Sequence, residues 1–224
     1  PATPDGLDFS LDIPSYQKKL AELSDTYKDK IQIRFGIELG LQMHLGEYFD
    51  SLLAQVPFDF AIGSSHLVHG YDPYYPEFFE GRKEFLCYME YFESILENIS
   101  VYDGFDVYGH IDYVVRYGPN KNREYSYGRY KDILDEILRK LISKGKGIEL
   151  NTGGYHYGLG EPNPCTAVIK RYRELGGEII TIGADAHTPD KVAYAFDKAA
   201  TVLENCGFRY YTVFKDHKPE FISL

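Results

Sequence analysis

Tryptophan is absent from this chain, methionine occurs twice and cysteine only three times in 224 residues. Without tryptophan, the large packing surfaces fall to 21 tyrosines and 14 phenylalanines. Many of those tyrosines must line a cleft or half-buried surfaces, because each hydroxyl needs a polar neighbour. Cys87, Cys165 and Cys206 are far apart and odd in number, and no C-x-x-C occurs. A disulfide framework and a thiolate zinc site are thereby excluded, and three reduced cysteines in a cytoplasmic protein are expected. No stretch approaches the roughly 18 apolar residues of a membrane span, and no signal-peptide pattern opens the chain, so no membrane partner is expected. Lysine and arginine form no cluster, and the net charge is −10. A nucleic-acid backbone is therefore not the expected partner. A small phosphorylated substrate is still open, since it needs only a few local positive groups or metals.

What is present is an alternation of apolar runs and helical patterns. The runs IQIRFGIE (31–38), FDFAIGSSH (58–66), FDVYGHID (105–112), GIELN (147–151) and EIITIGADAH (178–187) read as strands. Helical spacing marks 16–28, 83–99, 130–143, 164–175 and 188–207, where Ile133, Leu134, Ile137, Leu138 and Leu141 share one face. Pro164 suits a first helical turn, Thr188 is a candidate cap before Pro189, and Gly176 and Gly207 are stops. Such order predicts parallel strands covered by helices. The segments 209–214 and 220–224 read as a terminal hairpin, and 1–14 as a loop. No composition shift divides the chain, so a single domain over 1–224 is expected.

Four of the five runs end in a group that binds metals: Glu38, His66, His110, and the pair Asp185 and His187. In a barrel of alternating strands and helices, the C-terminal strand ends share one rim. Each group alone would ordinarily be solvated or hydrogen-bonded, but their coincidence predicts a carboxylate–imidazole cluster. Such donors take zinc, manganese or iron. The D-x-H spacing at 185 and 187 lets both side chains turn toward one metal or two adjacent ones. Paired metals activate a water and polarise phosphoryl oxygens, so phosphate-ester hydrolysis fits. Asp185 and His187 are also the candidates for orienting the water or protonating the leaving group, and the sequence does not separate those roles. The Gly-rich stretch GYHYGLGEPNP (154–164) lacks a Lys-Ser pair and is no Walker loop.

The stretches FGIELGLQMHLGEY, PFDFAIGSSHLVHGYDPY, FDVYGHIDYVVRYGP, IELNTGGYHYGLGEPNP and GGEIITIGADAHTPD span roughly 30–190. In order and spacing they resemble the histidinol-phosphate phosphatases of the polymerase and histidinol phosphatase (PHP) family. That resemblance implies a distorted (β/α)7 TIM-like barrel with two or three metals at its rim. It also implies hydrolysis of L-histidinol phosphate to L-histidinol and phosphate in histidine biosynthesis. By position, Glu38 resembles the bridging carboxylate, and His66, His110, Asp185 and His187 resemble metal ligands. Arg116 in DYVVRYG resembles the arginine that receives the substrate phosphate. His156 stands where relatives often carry an arginine, and His69, three residues after His66, is a further substrate-contact candidate. The family opens with strands bearing His-x-His and Asp-His, and neither pattern precedes the first helix here. The expectation is a barrel apparently missing its first two strands. Its exposed edge would favour a homo-oligomer, and the chain alone would hold metal poorly. The alternatives are a PHP-type phosphoesterase acting on a nucleotide or nucleic-acid end, and a non-catalytic remnant.

Overall fold

The computed structural model describes residues 11–224. The loop expected over 1–14 lies outside these residues up to position 10. Helix α1 (Ile13–Tyr27) starts at Asp12, whose carboxylate accepts the Ser15 N–H at 3.2 Å, and it buries none of its residues. Tyr16 fixes it to the rest of the molecule: its hydroxyl donates to the Gly36 carbonyl at 3.0 Å and its ring packs on Phe35.

The strands follow as β1 (Gly36–Gly40), β2 (Phe60–Ser64), β3 (Val107–Tyr108), β4 (Gly147–Asn151) and β5 (Ile180–Gly183). They form one parallel sheet in chain order, β1-β2-β3-β4-β5, which is the order of a barrel wall. Between them run α2 (Gly46–Gln55), α3 (Glu84–Val101), α4 (Lys131–Ser143), α5 (Gly153–His156) and α6 (Thr166–Glu174). Helix α2 has no counterpart in the expected elements, because its apolar stripe is short. Helices α3 and α4 match their expected patterns closely. Strand β1 begins five residues later than the apolar run suggests, and residues 31–35 are irregular. Strand β3 is only two residues long, because the Asp106 carboxylate takes the Ala61 N–H and His110 then turns away at a φ of 21°.

The long helix expected over 188–207 is broken. A single 3-10 turn at Pro189–Lys191 is followed by Ala193 and Ala195, both in the left-handed region, before α7 (Phe196–Asn205). Left-handed alanines cannot continue a helix. The loop they form is anchored where the Thr152 hydroxyl donates to the Tyr194 carbonyl at 2.6 Å. Strands β6 (Tyr210–Lys215) and β7 (Lys218–Ser223) make the expected hairpin. Its two turn residues, Asp216 and His217, both have positive φ, as a two-residue hairpin loop requires.

The core answers where the tyrosines go. Tyr88, Tyr91, Tyr108, Tyr130 and Tyr172 are fully buried among Phe92, Ile95, Ile99 and Leu141. Most of these hydroxyls reach partners, such as Tyr91 to the Ser65 carbonyl at 2.9 Å and Tyr172 to the Ile179 carbonyl at 3.1 Å. At the N-terminal end of the sheet the hairpin forms a floor. Asp59 accepts the Phe35 and Asp216 N–H groups, His217 lies 2.9 Å from Asp106, and Phe214 stacks on Phe60. That leaves the opposite, C-terminal end for chemistry.

Candidate metal centre and its surroundings

Glu38 sits inside β1, while His66 and His110 follow the ends of β2 and β3 by two residues. Parallel pairing of the three strands brings their ends to one level, with Glu38 opposite Ile62 and Ile62 opposite Val107. Glu38 Oε1 lies 3.1 Å from His110 Nε2 and 3.5 Å from His66 Nε2, and the two ring nitrogens are 3.3 Å apart. Three donor atoms of three residues thus converge within 4.8 Å of one another. Around a zinc ion with bonds of about 2.1 Å, tetrahedral ligand atoms stand about 3.4 Å apart. The observed triangle fits that spacing. Two imidazole nitrogens facing each other cannot both carry protons, so at least one of them presents a lone pair, and both do once a cation takes the proton's place.

Electrostatics favours the ligand form at two of the three donors, Glu38 and His66. The crowding of Glu38 would raise its pKa, but the His110 contact, the nearby imidazoles and the Ser64 hydroxyl together hold it well below the usual carboxylate range. Ser64 donates to Glu38 Oε1 at 2.7 Å. Burial pushes His66 down to about 4, against the pull of Glu38, so its ring is neutral near pH 7. Burial would lower His110 too, but Glu38 outweighs it and raises the pKa. The Nδ1 of His110 is buried and has no hydrogen-bond partner among the described residues.

Of the five ligands expected from the sequence, the structure brings these three together. Asp185 is engaged elsewhere: its Oδ2 accepts from Arg116 Nη1 at 2.7 Å, with backbone φ at 52°. Burial would raise its pKa, but His110 and Arg116 lower it, so the carboxylate stays ionised. His187 is apart from the triangle. Its side chain is 83% exposed, and Nδ1 lies 2.9 Å from the Asp185 carbonyl. His69 also lies outside the triangle, because its two ring nitrogens face Glu90 and Glu97 of α3 at 3.3 and 3.1 Å. Those carboxylates raise its pKa and hold the ring against α3.

Arg116 is buried, with a side chain 1% exposed. Nε donates to Asn163 Oδ1 at 2.8 Å and Nη2 to Asn151 Oδ1 at 3.1 Å, beside the Asp185 contact. The rings of Tyr113 and Tyr157 cover the guanidinium, which lies 5.4 and 4.7 Å from their centroids. A guanidinium has five N–H donors, more than these three contacts use. Next to Asp185 opens a cavity of about 160 Å³ lined by His156, Tyr157, His187, Lys191 and Tyr194 among others. His156 and Asp185 both line this cavity. Lys191 was not singled out in the sequence, although a cation four residues past His187 in HTPDK was the available signal. Ser64 and the buried polar residues of β4 were also missed.

Comparison with known proteins places these features in context. The PHP domain family matches residues 8–153. A histidinol-phosphatase of Lactococcus lactis subsp. lactis (strain IL1403) is 32% identical over 214 residues, which cover 95% of this chain and 79% of that protein. A probable histidinol-phosphatase of Clostridium acetobutylicum is 30% identical, covering 90% of this chain and 77% of that protein. The crystal structure of the histidinol phosphate phosphatase of L. lactis, complexed with zinc, L-histidinol and phosphate, superposes with a TM-score of 0.87. That pair shares 30% identity over 96% of this chain and 82% of the other.

Proposed function

The chain belongs to the PHP domain family, and from that membership we propose that it is a metal-dependent phosphomonoesterase that hydrolyses L-histidinol phosphate. The observation that carries this reading is the triangle of Glu38, His66 and His110, whose edges of 3.1 to 3.5 Å suit one divalent ion. Zinc, manganese and iron all accept such donors, and two or three ions are proposed for the working site. When bound, a divalent metal polarises phosphoryl oxygens and lowers the pKa of a water.

The rest is done by the chain. Arg116, pre-set by Asn151, Asn163 and Asp185, has N–H groups left for the phosphate, which a shift of the Tyr157 ring at the cavity wall would open to it. Lys191 and His156 add positive or donor groups along the adjoining cavity. Asp185, held ionised by a buried guanidinium, is a weak base, so it serves as a further ligand or orienting group. His187, exposed at the mouth, is the better placed to carry a proton to the leaving alkoxide. Tyr157 and Tyr194 supply apolar walls for the organic part of the substrate. The net charge of −10 and the absence of a basic tract argue against a nucleic-acid partner. Three free cysteines suit a cytoplasmic setting.

The test is phosphate release from L-histidinol phosphate and from nucleoside monophosphates, each with zinc or manganese added. Turnover of histidinol phosphate well above that of the nucleotides is expected. Equal or greater turnover of nucleotides, or none with any metal, would overturn the assignment.

A further inference from the structure

Strand β4 points two polar side chains, Glu149 and Asn151, into the end of the sheet that holds the triangle; the chemistry above uses Asn151 only to hold Arg116, and Glu149 not at all. Glu149 is 5% exposed, and among the described residues no side-chain cation pairs with it within 4.0 Å. An uncompensated buried carboxylate is costly, so an apolar residue would make the more stable strand. The chain has nevertheless made room for it. A side chain at Gly183 on β5 would place its Cβ 2.0 Å from Glu149 Oε1 and 2.9 Å from Cδ, so it would displace the carboxylate from this position.

The contacts of this carboxylate say what the room is for. Glu149 Oε2 accepts the backbone N–H of His110 at 3.1 Å, at the point where His110 leaves β3 in a left-handed conformation. Such a conformation costs a non-glycine residue free energy and persists only where neighbours enforce it. The same Oε2 accepts from Asn151 Nδ2 at 3.0 Å. Asn151 Oδ1 in turn accepts from Arg116 Nη2 at 3.1 Å, and Arg116 holds Asp185. One unbroken chain of hydrogen bonds therefore runs from the backbone of a triangle member on β3, through two alternate residues of β4, to the carboxylate after β5.

We infer that Glu149 is a positioning residue for the centre: it fixes the turn that aims His110 Nε2 at Glu38 and His66, and through Asn151 it sets the distance between that triangle and the Arg116–Asp185 pair. The inference deepens the metal reading above and rests on it only for the zinc measurements. What matters is the reach of the acceptor oxygen, more than its charge.

Two single variants separate reach from charge. Glu149→Asp keeps the charge but withdraws the oxygen by one methylene, whereas Glu149→Gln keeps an oxygen in place and removes the charge. Zinc affinity, measured by competition with a chelating dye, should fall about 10- to 100-fold in Glu149→Asp, the usual effect of losing a group that orients a ligand. In Glu149→Gln it should stay within about threefold of wild type. The metal-free proteins give an independent readout in hydrogen exchange at the His110 amide. Exchange should be slow in wild type and Glu149→Gln and fast in Glu149→Asp. Any other ranking of the two variants, including equal loss or no loss in both, overturns the inference. A wild-type chain that takes up no zinc would instead sink the metal reading, and the amide exchange alone would then decide the role of Glu149.

Discussion

Arg116 commits three donor nitrogens to three acceptors, Asn151 at the end of β4 and Asn163 and Asp185 in two loops, so its removal has two separable consequences. Arg116→Ala leaves Asp185, Asn151 and Asn163 without their donor, and breaking a buried pair of this kind costs about 3 kcal/mol. Arg116→Lys keeps the charge but loses the planar fork. We expect Arg116→Lys to remain folded, with kcat on histidinol phosphate down about 10²-fold, the size of losing one pre-set donor. A kcat within a factor of two of wild type in Arg116→Lys would remove the arginine from the chemistry. At this scale the sequence reveals the metal triangle well, because Glu38, His66 and His110 each interrupt or close an apolar run. It reveals the surroundings poorly. Glu149 and Asn151 lie within GIELN, where alternate polar residues of a buried strand look like an ordinary outward face. Whether Asp185 faces the triangle or a guanidinium depends on Arg116, 69 positions away, and no local pattern encodes that.

Elements are locked together by a second polar knot on the outer layer. Asp135 of α4 is 2% exposed and accepts from Arg171 of α6 at 2.9 and 2.8 Å, from Tyr127 at 2.6 Å and from Arg139 at 3.0 Å. The Arg171 bonds, with help from Tyr127 and Lys131, outweigh burial and keep this carboxylate well below its ordinary pKa. A depressed carboxylate contributes stability that is complete above the unfolded value of about 3.9 and is lost as pH falls through the folded value. Asp135→Asn should therefore cost about 2 kcal/mol near pH 7, with the gap to wild type narrowing steadily below pH about 4. Thermal melts across that range test it, and a gap independent of pH would show that charge is not the cause. Helix α4 was legible because its apolar stripe is regular. Helix α7 was misread at its start because two alanines, good helix formers, take left-handed backbone where Thr152 fixes the loop.

The whole molecule separates function from closure by placing them at opposite ends of one sheet. Metal at the triangle stabilises only the folded chain, so chelator-treated protein should melt lower and regain stability as zinc is added back. The gain should be about 2.7 kcal/mol at zinc 100 times its Kd. A melting temperature indifferent to chelator and zinc would count against the centre. At the other end, Phe214→Ala removes a buried ring stacked on Phe60 and should cost about 3 kcal/mol. Zinc affinity, measured well below the melting temperature, should be unchanged by it; a matching loss would mean that the two ends are not independent. The consecutive parallel order of the sheet could be read from the alternation of runs and helices, whereas the docking of the hairpin beneath β2 and β3 could not.

That docking also dictates a sequence of events in time. The Asp216 amide reaches a carboxylate 157 positions earlier, so Asp59 and Asp106 gain these partners only after residues 216 and 217 have been made. During synthesis the strands above can align while the floor is still absent. The hairpin is then the clasp of the sheet, and a cleavage or insertion near residue 215 would leave the strands assembled but unlatched.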